Sequence, residues 1–253
     1  MSKPEGGPLP PPERKVAFVR QLFTDIARRY DLMNRVMALG RDQSWRRYAV
    51  SQLGLNSGGS PRPEDGPQRV LDVASGTGDL ALEVLRQQPR ARVTGIDLVP
   101  DMLVVAQEKA DRAGAPLPLT AGDALRLPFP DTSFDSVVTG FALRNVADIP
   151  AAFAEMARVT RPGGRVACLE FARPTLPIFR QLYHFYLHHV VPIIGVLLTG
   201  QRTAYTYLPH SVAAFLSPDQ ILVVMQRAGW QDVWYRRLML GTVAVHVGVR
   251  GGG

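Results

Sequence analysis

Val70-Leu-Asp-Val-Ala-Ser-Gly-Thr-Gly-Asp79 is an apolar strand that runs straight into a glycine turn, and the turn opens a helix over 80–85. A buried parallel strand wants Val and Leu at its heart. A sharp strand-to-helix turn wants Gly where the backbone must approach a ligand closely. Nineteen residues after Gly78, Arg92-Val-Thr-Gly-Ile-Asp97 reads as a second strand ending in a carboxylate. In nucleotide-binding α/β folds an acid at that place grips the hydroxyl pair of a ribose. The pair of features predicts a nucleoside-containing cofactor.

The glycines Gly76 and Gly78 with Ala81 also fit a loose G-x-G-x-x-A, as in a dinucleotide oxidoreductase. Asp72 within the strand and Asp79 directly after the turn argue against a pyrophosphate, since an anion at a helix N-terminus is disfavoured by neighbouring acids. S-adenosylmethionine carries a sulfonium and an ammonium and no phosphate. The pattern D-x-A-x-G-x-G-D over 72–79 resembles the first motif of the class I methyltransferases.

The rest of the chain alternates strand and helix. Strands are expected near 69–74, 92–96, 117–121, 135–140, 165–171, 231–237 and 242–249, with helices between most of them. The closing strand pair has no helix between its members and implies antiparallel pairing at the sheet edge. Residues 1–15, rich in Pro and Gly, form an expected disordered tail, and 16–55 an N-terminal helical region with Val19, Leu22, Phe23 and Ile26 on one stripe. Residues 56–67 read as a linker, and 68–250 as the catalytic domain, with an inserted helical cap at about 175–215.

The 253 residues, 46% hydrophobic, suffice for one large α/β core. The single cysteine, Cys168, excludes an internal disulfide framework and sits in an apolar strand as a packing residue. The formal charge is +7, and residues 1–60 hold ten Lys or Arg against five acids. That excess suits an anionic membrane surface or a solvated helix face; without a basic run, nucleic acid is not an expected partner.

Two further segments belong at the carboxyl rim of the sheet, where open α/β folds bind ligands. Asp123-Ala124 follows the third strand, where an adenine amino group can be met, although a solvated turn Asp reads equally well there. Phe141-Ala-Leu-Arg-Asn-Val146 follows the fourth strand. Arg144 and Asn145 offer a fork of donors and an amide to an apolar pocket; the plainer reading is a structural Arg paired with a carboxylate.

Residues 171–218 contain no acid, four of the five histidines and eight of the twenty aromatic side chains. A helix apolar on most sides is expected from Ile178 to Val190, with Pro192 and Gly195 breaking the run that follows. Such a segment is too short and broken to span a membrane and reads either as an interfacial or substrate-covering element or as a buried helix of the cap. His184 and His188 have helical ligand spacing but no accompanying acid, so no metal is expected.

Taken together, the residues resemble one family, the ubiquinone/menaquinone biosynthesis C-methyltransferases, over about 16–250. The resemblance rests on Tyr30-Asp31-Leu-Met-Asn34 with Phe23 and Trp45, on 72–79, on Leu127-Pro-Phe-Pro-Asp131, on 141–146, and on Arg161-Pro-Gly-Gly164 with Leu169-Glu-Phe171. Tyr205-Thr-Tyr-Leu208, Pro218-Asp-Gln220 and Ala244-Val-His246 extend it. It implies a class I S-adenosylmethionine-dependent methyltransferase: a doubly wound, mostly parallel seven-stranded sheet with an antiparallel edge strand, N-terminal helices and a helical cap. It implies transfer of a methyl group to a ring carbon of a prenylated quinol, most simply demethylmenaquinol, with a ubiquinone precursor, or a sterol or small phenol, as alternatives. A membrane-surface or RNA-binding module with a vestigial cofactor site is the reading from another class.

Cofactor contacts are then expected at Gly76, Thr77, Gly78, Asp97, Asp123, Ala124 and Gly140. The family usually has Ser at the position of Gly140, Asn at Asp123, and His-Arg-Gly where this chain has His246-Val-Gly248. Carbon alkylation needs an electron-rich, preferably ionised ring, so Arg144 would stabilise the phenolate and Asn145 orient the second oxygen. Proton loss would go through water, His246 or Tyr30. The expected location is the cytoplasm, with a peripheral contact on the inner membrane face and a homodimer allowed for.

Overall fold

The structure, a computed structural model, describes residues 10–55, 66–199 and 202–252. Residues 1–9 of the expected tail and 56–65 of the expected linker lie outside the described residues.

Seven strands form one sheet: β1 (Arg69–Val73), β2 (Arg92–Asp97), β3 (Leu119–Ala121), β4 (Phe134–Gly140), β5 (Thr160–Phe171), β6 (Trp230–Leu238) and β7 (Val243–Arg250), in the order β3-β2-β1-β4-β5-β7-β6. The first five pair in parallel. Antiparallel pairing lies at the expected end of the sheet, but the strand that runs against the rest is β7, threaded between β5 and the edge strand β6.

Around the sheet lie α1 (Pro12–Ile26), α2 (Tyr30–Met37), α3 (Asp42–Ser51), α4 (Asp79–Gln87), α5 (Pro100–Ala113), α6 (Ile149–Val159), α7 (Pro177–Phe185), α8 (Val191–Thr199), α9 (Arg202–Ala213) and α10 (Pro218–Arg227). One sheet face packs on α3, α4 and α5 through Val50, Val84, Ala110 and Val138. The other packs on α6 and α10 through Phe153, Met156, Ile221 and Met225. A third cluster joins α1 and α2 to the cap, with Phe23, Ile26 and Met33 against Leu187, Val191, Tyr205 and Leu208. That cluster roofs the carboxyl rim of the sheet.

Three expectations are corrected. Helix α1 begins at Pro12, so residues 12–15 belong to it and not to the tail; Pro at the first helical position has no N–H to waste and a φ already suited to the helix. Strand β5 starts at Thr160, and its pairing jumps from Phe134↔Thr160 to Ser136↔Arg165, so Pro162-Gly163-Gly164 form an irregularity within the strand. A Cβ at Gly164 would lie 2.5 Å from the Asp135 carbonyl, which accounts for the glycine. Pro192 and Gly195 do not break the cap helix: α7 passes through a π-turn at Tyr186–Val190 into α8. Pro192 lies just after the π-turn within this continuous run, and Gly195 lets the Tyr205 ring press against the helix backbone.

Candidate active site

The order β2-β1-β4 places a topological switch point between β1 and β4, where open α/β sheets bind ligands. Each strand is followed directly by a non-glycine residue at positive φ, Ala74 at 55° and Phe141 at 56°. Such backbone is sparsely populated by L-residues and costs on the order of 1–3 kcal/mol. Here it swings both chains sharply off the sheet, and both residues line one cavity.

The glycine turn is braced from below. Asp72 is fully buried; its Oδ2 accepts from Ser75 Oγ at 2.9 Å and from the Ala81 N–H at 3.0 Å, tying β1 to the start of α4. Burial pushes the Asp72 carboxyl up to about 7, against those two hydrogen bonds. Asp79 pairs with Arg46 at 3.2 Å and with Lys109, which also pairs with Asp31 at 2.6 Å. Against the cost of its burial, those two cations hold the Asp79 pKa down. The two acids that argue against a pyrophosphate are thus struts of the turn and do not line the cavity.

The cavity holds about 780 Å³ of empty space, counted to its open mouth. Its walls bring together Gly76, Asp97, Asp123, Ala124, Gly140, Asn145 and Tyr30 of the expected site residues. Asp97 is buried at the end of β2; its Oδ2 accepts from the Gly76 N–H and its Oδ1 from the Val99 N–H, each at 2.8 Å. Burial raises its pKa, opposed by those backbone donors. The Leu98 N–H also bears on this carboxylate, which still has acceptor capacity for a further donor. Asp123 Oδ1 accepts from the Leu125 N–H at 2.9 Å, closing a turn that carries Ala124 into the wall. Leu98, Val99, Met102 and Leu125 give an apolar slot beside these acids. A Cβ on Gly140 would meet Leu80 Cδ1 at 2.7 Å, so Leu80 occupies the room a serine would need.

Thr77 and Gly78 do not line the cavity. The Thr77 hydroxyl donates to Asp31 Oδ1 at 2.5 Å, on the far side of the turn, and Gly78 at φ 78° caps α4.

A second, smaller chamber shares the walls Phe23, Tyr30 and Phe141 with the first and adds Asn34, Arg144, Phe171, Tyr205 and Tyr207. Arg144 is 9% exposed; its Nη1 donates to the Phe141 carbonyl, its guanidinium lies 5.3 Å from the centre of the Phe171 ring, and its Nε has no partner. Among the described residues no carboxylate lies within 4.0 Å of it, so Arg144 makes no close ion pair, although the buried Glu170 feels its charge. Asn145 Oδ1 accepts from the Tyr207 hydroxyl at 3.1 Å. Burial raises the Tyr30 phenol, opposed chiefly by Arg144.

His246 is not at the site. It is fully buried on β7, with its Nε2 within 3.1 Å of the Pro218 carbonyl, and burial lowers it to about 4. The pleat explains this: Val245 and Val247 face the Trp45 side of the sheet, so His246 must face α10.

Sequence reasoning missed three groups. Glu170 is fully buried beneath the Arg144 loop; its Oε1 accepts from the Leu143 N–H at 2.6 Å and its Oε2 has no partner. Burial pushes it up to about 7, opposed by the Arg144 charge. An acid in the apolar run Val166–Phe171 was the available signal. Lys15 reaches the Val146 carbonyl at 2.7 Å from a segment read as tail. Tyr207 stands in the Tyr205–Leu208 stretch of the resemblance, but only the tertiary fold brings α9 to Asn145.

The ubiE/COQ5 methyltransferase family model matches residues 12–250. A demethylmenaquinone methyltransferase of Roseiflexus castenholzii is 43% identical over 244 residues, covering 96% of this chain and 98% of that one. One from Thermus thermophilus is 44% identical, covering 90% and 100%. A ubiquinone/menaquinone biosynthesis C-methyltransferase of a Geobacter species is 42% identical, covering 92% and 96%. Among solved structures, an S-adenosylmethionine-dependent methyltransferase from Aquifex aeolicus superposes with a TM-score of 0.59 at 16% identity, over 86% of this chain and 96% of that one. The [4+2]-cyclase SpnF reaches 0.65 at 17%, over 93% and 96%, so the fold by itself does not specify the reaction. The chain belongs to the ubiE/COQ5 methyltransferase family.

Proposed function

We propose that the protein methylates a ring carbon of a prenylated naphthoquinol, demethylmenaquinol to menaquinol, with S-adenosylmethionine as the methyl donor. The observation that carries this reading is the guanidinium of Arg144, buried, with no carboxylate within 4.0 Å among the described residues, and lining an apolar chamber that shares walls with the first cavity. The family and the relatives named for this reaction support it.

Asp97, Asp123, Gly76 and Gly140 would hold the donor, which supplies an electrophilic methyl group. Asp97 offers lone pairs to the ribose hydroxyls, and Leu98, Val99 and Met102 a slot for the adenine. Arg144 stabilises the quinol as its phenolate, which raises electron density on the ring carbon; a fixed cation in an apolar setting does this far better than one in water. Asn145, held by Tyr207, orients the second ring oxygen. Once the new C–C bond forms, the ring carbon loses its proton. His246 lies elsewhere, which leaves water or Tyr30, a wall residue of both cavities, as the acceptor.

The test is product analysis by mass spectrometry with purified protein, labelled donor and chemically reduced acceptors. Methylation of the demethylmenaquinol is expected, with less or none of the ubiquinone precursor. Turnover of neither, with donor bound, rejects the reading; preference for the benzoquinol moves the substrate to the alternative carried by the Geobacter relative's name.

A further inference from the structure

The outer face of the cap carries an apolar stripe left uncovered by the described residues. Ile178 is 85% exposed, Leu182 62%, Phe185 55%, Ile193 62% and Leu197 79%. Positions 178, 182 and 185 share one face of α7, and 193 and 197 one face of α8. In an unbroken α-helix the eight steps from Phe185 to Ile193 would overrun two turns by about 80°. The π-turn at Tyr186–Val190 pairs i with i+5 and so rotates less per residue, which brings the two half-stripes onto one face. His189, stacked on Phe185 at 4.7 Å, fills the interval.

A second element continues the stripe. The turn after β6 presents Met239 and Leu240, 38% and 60% exposed, at φ 45° and 53°. A Cβ on the next residue, Gly241, would lie 3.5 Å from Pro174 Cα, so this turn abuts the segment leading into α7, where Leu176 is also exposed. Large side chains in water on left-handed backbone are disfavoured twice over, by sterics and by solvation.

The charge around the stripe has one sign. Residues 171–218 contain no acid, Arg173 and Arg180 are exposed, and Arg237 donates to the Arg173 carbonyl at 3.2 Å. Aliphatic side chains framed by guanidinium groups match acyl chains beneath anionic headgroups. Among the described residues no single helix is long and apolar enough to cross a membrane.

We propose that this face docks the protein on an anionic phospholipid bilayer, so that the chamber behind it, walled by Tyr205, Tyr207 and Leu208 of α9, receives its acceptor from the membrane. The proposal rests on the reading of the substrate as a prenylated quinol.

Flotation of the full chain tests it, with vesicles of phosphatidylcholine alone and of phosphatidylcholine with about a quarter phosphatidylglycerol. Binding about tenfold or more tighter to the anionic vesicles is expected. Ile178→Ser combined with Leu197→Ser should lower that binding about tenfold while leaving methylation of a tail-less quinol in buffer unchanged. Arg173→Glu with Arg180→Glu should abolish the preference for anionic vesicles. A wild-type chain that floats with neither vesicle, or a serine variant that floats as well as wild type, overturns the proposal. So does a wild-type dimer that the serine variant turns into a monomer in sedimentation, since a second copy would then cover the stripe. Failure of the wild type to methylate the tail-less quinol would count against the functional reading alone.

Discussion

Below the cavity, each polar group is held by its own neighbourhood: Asp72 by Ser75 and Ala81, Asp97 by Gly76 and Val99, Asp123 by Leu125. Above it, α1 and α2 meet α8 and α9, segments more than a hundred residues apart, and they touch mainly through apolar side chains. The floor is a lattice of hydrogen bonds within and between the turns that follow neighbouring strands. The roof is a packed apolar layer whose outer side stays exposed. The two halves suit two ligands: a donor with fixed hydroxyls and an adenine below, and an acceptor with a ring and a greasy tail above.

The sharpest way to break that division is Arg144, on the roof side. Arg144→Ala should lower kcat about 10²-fold or more and leave donor affinity nearly unchanged, a loss confined to the transition state. Arg144→Lys keeps the charge without the planar fork and should be partly active. Raising the pH towards the quinol's own pKa should restore part of the Ala variant's rate. Normal kcat, or lost donor binding in calorimetry, would make Arg144 a structural residue.

Asp97 probes the floor with a smaller effect. Asp97→Ala should weaken donor binding by about 1–3 kcal/mol and leave the KM for the acceptor unchanged. Since Asp97 also accepts from Gly76 and Val99, thermal melting must show an intact fold. Unchanged donor affinity in calorimetry removes Asp97 from the site.

Glu170 lies where floor and roof join, and its effect is the smallest. Burial raises its pKa to about 7 from an unfolded value of about 4.3. The folded state therefore binds that proton more tightly. The resulting stability is fully present below about pH 4.3 and is lost as pH rises through about 7. Glu170→Gln keeps an acceptor for the Leu143 N–H and cannot ionise, so its melting temperature should fall less than wild type between about pH 5 and 8, by a few degrees. Parallel melting curves would place the titration elsewhere.

Much of the floor was legible in the chain. The strand-turn-helix at 69–87, Asp97 and the rim position of 141–146 follow from periodicity and glycine chemistry, because each is decided within one strand and the turn after it. Local reading does not set direction where direction depends on partners. Thr77 stands in the right motif but turns towards Asp31, and His246 is carried to the α10 face by the pleat of its strand. The cap helix reads as broken at Pro192 because propensity knows nothing of a π-turn stabilised by packing.

Composition and short-range pattern alone determined an α/β sheet with a nucleoside site at its carboxyl rim, since those signals need only the residues next to them. Tertiary structure decided that Arg144 has no carboxylate within 4.0 Å among the described residues, that Glu170 lies beneath its loop, that Tyr207 reaches Asn145, and that the apolar face of the cap points outward. Each of these depends on which distant surfaces meet. Burial and ion pairing are properties of the assembled neighbourhood, and no stretch of chain contains its own neighbourhood.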